Sequence, residues 1–177
     1  KILSGLIQAV KLADTTILGD IELVVFRAID KLDRLGLEGV KNLLAKGRTD
    51  SSGDFTEGAN LSAYQIDTII SFLKITNDDP YKTLDEMKYL IGDSEIGRQG
   101  LSELSNITDT LLSKDISNLS FKIDPSVVRG LAYYTGTVFE TELSTPTRSL
   151  GSISGGGRYD DLVSRFTGQK VPSTGVS

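Results

Sequence analysis

The chain has 177 residues, a formal net charge of −5, and neither cysteine nor histidine. The absence of both removes any disulfide framework and thiolate nucleophile, as well as the commonest general base and zinc ligand, so zinc and Ser-His-Asp chemistry within this chain are disfavoured. No apolar run is long enough to span a bilayer, which makes a cytoplasmic protein the expectation, with no membrane partner and no bound metal.

The charge is uneven. Residues 1–118 carry 13 Lys/Arg against 19 Asp/Glu, and residues 119–177 carry 6 against 5. An acidic first part is a poor electrostatic partner for nucleic acid, so contact there has to be local and shape-based.

Helical spacing opens the chain with Leu3, Leu6, Ile7 and Val10. Asp20 is placed to cap a second helix. Its apolar residues Ile21, Val24, Val25, Ala28, Ile29, Leu32 and Leu35 run to a stop at Gly36. Val40, Leu43 and Leu44 mark a short helix closed by Gly47, and residues 48–58 read as a polar, turn-rich link. Residues 62–65, Ser-Ala-Tyr-Gln, form a capping box ahead of Ile66, Ile69, Ile70 and Leu73. Residues 83–86, Thr-Leu-Asp-Glu, read as a second box after a break at Pro80, ahead of Met87, Leu90 and Ile91. A last helix over about residues 94–113 is expected to turn Ile96, Leu101, Leu104, Ile107, Leu111 and Leu112 inward.

The pattern changes near Asn118. Residues 119–123 alternate as a strand, residues 124–126 turn, and residues 137–143 are β-branched and aromatic. After a turn at residues 145–147, a strand from Ser149 runs into Gly155, Gly156 and Gly157. A helix with Tyr159, Leu162, Val163 and Phe166 on one face then ends at Gly168, and residues 174–177 open another strand. Helices followed by an antiparallel sheet make the fold class α+β, with a mostly helical domain over residues 1–117 and a second domain over residues 118–177.

The densest chemistry lies in VVRGLAYYTGTVFE (residues 127–140) and SISGGGRYDDLV (residues 152–163). The Arg129 guanidinium can grip a carboxylate or phosphate with two parallel hydrogen bonds, or it can serve as a surface ion-pair partner. Tyr133 and Tyr134 point to opposite faces of a continuing strand, so one can line a pocket while the other packs. Gly155 to Gly157 are either a strand bare of side chains, over which a flat substrate can lie, or a tight turn. They match neither dinucleotide nor P-loop templates. Asp160 and Asp161 suit a helix start better than acid–base work, and nothing marks Glu140 or Glu142 as catalytic.

These two motifs resemble signatures of histidyl-tRNA synthetases: Arg-Gly-Leu-Asp-Tyr-Tyr followed by Val-Phe-Glu, then Gly-Gly-Arg-Tyr-Asp leading into class II motif 3. The stretches AIDKLDRLGLEGV and GRTDSSGDFTEGANLS resemble the helical insertion of one bacterial branch of that family. The resemblance implies a class II catalytic core interrupted by a helical insertion domain. Residues 1–3 would be the tail of a core strand, residues 4–117 the insertion, and residues 118–177 the return to the core sheet. It further implies activation of histidine by ATP, with Mg2+ accompanying the ATP, and transfer of the histidyl group to tRNA(His) by a homodimer. Carried over, Arg129 contacts the histidine carboxylate and the α-phosphate, Tyr133 and Tyr134 line the histidine pocket, and Gly155, Gly156, Gly157 and Tyr159 form its floor and wall. Ala132 stands where the family usually has Asp, which puts any polar contact at that position in question.

No segment matches motif 1, which makes the dimer interface, or the ATP-binding motif 2. The expectation is therefore an internal portion of a longer enzyme, inactive and binding no cofactor by itself. Two other readings stay open: the regulatory subunit of ATP phosphoribosyltransferase, and a non-catalytic module contacting the tRNA acceptor arm.

Overall fold

The structure, a computed structural model, describes residues 1–10, 18–117, 120–128, 134–145, 148–169 and 171–177, with backbone alone at 18–20, 144–145 and 148–150. It divides into two compact units, Lys1–Ser126 and Val127–Ser177. Among the described residues there are seven helices and two small antiparallel sheets, an α+β fold.

The first unit is helical. Its elements are α1 (Ile2–Ala9), α2 (Leu18–Ile29), α3 (Leu32–Leu44), α4 (Ala63–Leu73), α5 (Pro80–Ile91) and α6 (Glu95–Ser113), with strands β1 (Gly47–Thr49) and β2 (Phe55–Glu57) between α3 and α4. Leu6, Ile7, Val25, Ile29, Val40, Leu44, Ile69, Phe72, Met87 and Ile91 are almost wholly buried and form its core. Burying side chains of this kind contributes roughly 1.5–3 kcal/mol each before chain entropy is charged.

Several local expectations are corrected here. Residues 2 and 3 begin α1 and are not the tail of a strand. Asp20 lies inside α2, which starts at Leu18, and does not cap it. The helix expected to run to Leu35 stops at Ile29. Gly36 then kinks α3 with φ 66°, a left-handed conformation open to glycine at little cost. The polar link is a hairpin, with Gly47 opposite Glu57 and Thr49 opposite Phe55. Its turn is organised by the Asp50 carboxylate, which accepts from Ser52 N at 2.9 Å, Ser52 Oγ at 2.6 Å and Asp54 N at 3.0 Å.

The Ser62 capping box forms reciprocally with Gln65. The second box does not form. Asp79 caps α5 by accepting from Tyr81 N at 2.9 Å, and Pro80 occupies the first helical position, where its absent N–H is not needed. Thr83 is thereby carried into the helix interior and fully buried.

Helix α6 has nearly the expected bounds and is capped by Ser94, but its inner face is set by glycines. Gly97, Gly100, Leu101 and Thr108 are buried, whereas Ile107 is exposed. A Cβ on Gly5 of α1 would lie 2.4 Å from the Gly97 Cα, so the two helices approach as closely as bare backbone allows. Ser94 Oγ also donates to Gln8 Oε1 at 2.7 Å across the same contact.

Residues 120–123 form no strand; Lys122 pairs with Asp124 at 2.8 Å instead. The expected turn at residues 124–126 is present, with Asp124 accepting from Ser126 N at 2.9 Å.

The second unit contains β3 (Val138–Thr145), β4 (Arg148–Arg158), α7 (Asp160–Thr167) and β5 (Thr174–Val176), with sheet order β3-β4-β5. The chain turns out of α7 at Gly168, whose φ of 70° makes a left-handed cap. The turn expected at residues 145–147 falls largely on residues outside those described.

Candidate functional site

The three glycines lie within β4, as a continuous strand and not a turn. Register fixes which residues share a face. Gly157 stands between Val138 and Gly175, and Gly155 opposite Glu140, on one face; Gly156 stands between Phe139 and Val176 on the other. The first face therefore has a floor of Gly155, Gly157 and Gly175 almost bare of side chains. Glycine is required there by what lies above: a Cβ on Gly157 would sit 2.9 Å from Tyr134 Cδ1, and one on Gly175 would sit 2.2 Å from the Tyr159 hydroxyl. Two aromatic rings thus cover two glycines. The rings stand 6.3 Å apart at 47°, a tilted pair within the range of favourable aromatic contacts.

Beneath the rings, hydrogen bonds tie the segment before β3 to the start of α7. Thr135 N donates to Arg158 O at 2.8 Å, and Arg158 N donates to Thr137 O at 3.0 Å. Thr135 Oγ1 donates to Asp160 Oδ2 at 3.1 Å, and Asp160 N donates back to Thr135 Oγ1 at 3.0 Å. Arg158 Nε reaches both Asp160 oxygens, at 3.0 and 2.9 Å. Arg158 beside it holds the Asp160 carboxyl below the usual carboxylate range; desolvation opposes this and Thr135 adds to it. From the other side, Tyr159 N donates to Ser173 O at 2.8 Å. Gly155 and Ser177 exchange backbone bonds at 3.1 and 2.9 Å, which holds β5 against the floor.

A cleft of about 340 Å³ opens beside this network, lined by Thr135, Arg158, Asp160, Asp161, Val171 and Pro172. None of the residues expected at the site lines it, and its Arg158, Thr135 and Asp160 are already bonded to one another. The chemistry of the site rests on the glycine floor and the two rings.

Of the residues singled out from sequence, Tyr134, Gly155, Gly157 and Tyr159 come together on this face. Gly156 faces the opposite way, while Arg129, Ala132 and Tyr133 lie outside the described residues. Sequence reasoning missed Gly175, Thr135 and Asp160 as contributors. The only sequence signal for Gly175 was its position in a strand opening; for the other two there was none, since they meet only through the fold.

A family model described as histidyl-tRNA synthetase matches residues 3–177. The chain belongs to the histidyl-tRNA synthetase family. A histidine–tRNA ligase of Dinoroseobacter shibae is 49% identical over 187 residues, spanning 100% of this chain and 38% of that relative. The crystal structure of histidyl-tRNA synthetase from Nostoc sp. PCC 7120 superposes with a TM-score of 0.77 at 30% identity, covering 99% of this chain and 37% of that one. A Bacillus halodurans C protein described as an ATP phosphoribosyltransferase regulatory subunit/histidyl-tRNA synthetase shares the fold, with a TM-score of 0.68 at 22% identity over 99% of this chain and 38% of its own. The chain thus spans little more than a third of the length of each of these proteins.

Proposed function

We propose that this chain is part of a histidine–tRNA ligase that activates histidine with ATP to histidyl-adenylate and then transfers the histidyl group to tRNA(His). The observation that carries the reading is the pair Tyr134 and Tyr159 above the glycine floor, in a chain whose family match runs from residue 3 to residue 177. A flat ring can lie on a strand bare of side chains, and a phenolic hydroxyl can give or accept one hydrogen bond with an imidazole nitrogen. A site built to bond a polar ring rejects apolar analogues strongly, because its own polar groups would be left unpaired.

In this reading Tyr134 and Tyr133 line the pocket, Gly155 and Gly157 form its floor, Tyr159 its wall, and Gly156, expected in the floor, faces away from it. Arg129 holds the histidine carboxylate and the α-phosphate. As the carboxylate attacks phosphorus and pyrophosphate leaves, the fixed guanidinium stabilises the charge that develops. Residues 1–117 serve as a helical insertion and residues 118–177 as part of the catalytic core.

ATP is a substrate, and Mg2+ accompanies it in the whole enzyme. Magnesium prefers carboxylate and phosphate oxygens, and among the described residues no three acidic side chains gather to hold a metal. The chain by itself is proposed to be inactive. The enzyme is proposed to be a cytoplasmic homodimer; among the described residues no helix is long and apolar enough to cross a membrane.

The test is histidine-dependent ATP–pyrophosphate exchange by the full-length protein, followed by charging of tRNA(His). Exchange with histidine and not with other amino acids is expected. No exchange, together with binding to a phosphoribosyltransferase, would replace this reading with the regulatory one.

A further inference from the structure

Tyr134 and Tyr159 belong to different segments, and nothing in either segment alone fixes their separation. Each is the immediate neighbour of a residue in the hydrogen-bonded network below. Tyr134 precedes Thr135, and Tyr159 lies between Arg158 and Asp160. Thr135 and Asp160 exchange hydrogen bonds in both directions, at 3.1 and 3.0 Å, across 25 positions of sequence. The backbone bonds from Thr135 N to Arg158 O and from Arg158 N to Thr137 O fix the same two segments in register.

We infer that Thr135 and Asp160, with Arg158 bracing the carboxylate, form a clasp that sets the spacing of the two tyrosines and so determines how tightly histidine is selected. Thr135 and Asp160 are positioning residues, since neither is required to touch the substrate. The inference rests on the reading that the tyrosines line a histidine pocket.

The role is geometric and not one of stability. Arg158 and Asp160 side chains are 53% and 31% exposed, and ion pairs this exposed contribute little to folding. The Thr135–Asp160 exchange is directional, however. Asparagine at position 160 has the shape of aspartate but no charge, and it presents an amide where one carboxylate oxygen was, so it loses one of the two bonds to Arg158 and weakens those that remain. With the clasp loosened, the Tyr159–Ser173 backbone bond still ties the residue before α7 to the residue before β5, while the ring spacing relaxes. Small displacements of positioning groups have large kinetic effects, on the order of 100-fold for 1 Å.

The experiment uses full-length enzyme and exchange kinetics with histidine and ATP varied separately, for Asp160→Asn, Thr135→Val and Thr135→Ser. Asp160→Asn and Thr135→Val should each raise KM for histidine by about tenfold or more and leave KM for ATP within about twofold. Thr135→Ser keeps the hydroxyl and should restore near-normal values. The double variant should be no worse than the poorer single one, because both break one linkage. Thermal melts accompany each variant, and the near-isosteric Thr135→Val and Thr135→Ser pair keeps the test decisive if Asp160→Asn folds poorly. Normal exchange by the unsubstituted enzyme, with the histidine KM unmoved in Thr135→Val or with both KM values raised alike, would overturn the clasp alone. Absence of histidine-dependent exchange in the unsubstituted enzyme would overturn the pocket reading and the clasp's role with it.

Discussion

Replacing Gly157 with alanine probes the floor of the site with one methyl group. The new Cβ would lie 2.9 and 3.0 Å from Tyr134 Cδ1 and Cε1, and 2.8 Å from Thr137 O. Carbon atoms sit comfortably at about 3.5–4.0 Å, so the ring must retreat by about 0.5–1 Å. The Thr137 carbonyl also has to give slightly, although it is held by Arg158 N at 3.0 Å. Overpacking of this kind costs about 1–3 kcal/mol, while exchanging glycine for alanine in a strand returns about 0.5–1 kcal/mol. The net destabilisation is therefore small, about 0–2.5 kcal/mol. The functional effect should be larger, because the displaced group is the ring proposed to meet the substrate. Histidine-dependent exchange by the full-length variant should fall about 10- to 100-fold in kcat/KM, with denaturant unfolding showing only the small stability loss. A variant with exchange within about twofold of the unsubstituted enzyme would refute the reasoning, since the ring would then have moved without consequence.

Gly5→Ala should destabilise the helical unit, because its Cβ would lie 2.4 Å from Gly97 Cα; overpacking of about 1–3 kcal/mol outweighs a helix-propensity gain of about 1 kcal/mol, and a thermal melt reads the difference. Ser62→Ala removes one half of a reciprocal cap and should lower stability by about 0.5–2 kcal/mol in denaturant titration. Arg158 holds the Asp160 carboxyl below the ordinary aspartate range, so any stability it contributes is present above the unfolded pKa and lost as pH falls through the folded one. A carboxyl-carbon NMR titration should give a midpoint below about 3.9, and a midpoint at or above that value would contradict the pairing. Arg129→Ala in the full-length enzyme should damage adenylate formation far more than folding, measured by exchange beside a melt; losses of equal size would make the residue structural.

The parts of the fold that were legible in the sequence rest on local chemistry. Ser62 and Gln65 cap α4 because both partners lie within one turn. Thr83 misled because its spacing to Glu86 mimics a box, whereas Asp79 followed by Pro80 is the stronger start and buries the threonine one turn later. The hairpin at residues 47–57 was read as a link because its strands are three residues long; its signal was Asp50, placed to accept from both Ser52 and Asp54. The inner face of α6 was misjudged for a different reason. Periodicity counts apolar side chains, and this contact is built from glycines that have none.

The site divides similarly. Tyr134, Tyr159, Gly155 and Gly157 stand in two compact motifs that are visible in the sequence, while their meeting on one face is not. Gly175 enters through strand pairing with Gly157, and the Thr135–Asp160 linkage through the meeting of the segment before β3 with the first residue of α7; both depend on register, which no local pattern encodes.

The Gly5–Gly97 contact also has a consequence for synthesis on the ribosome. Helix α1 emerges first, but its closest neighbour lies about 90 residues later, which at roughly 5–20 residues per second is a delay of about 5–20 s. An eight-residue helix is marginal in isolation, so α1 waits without its closest partner until α6 arrives. Closing the helical unit is then one of the last events of its own translation. A side chain at Gly5 or Gly97 would therefore lower the yield of correctly folded protein in cells by more than the loss seen when the finished protein is melted.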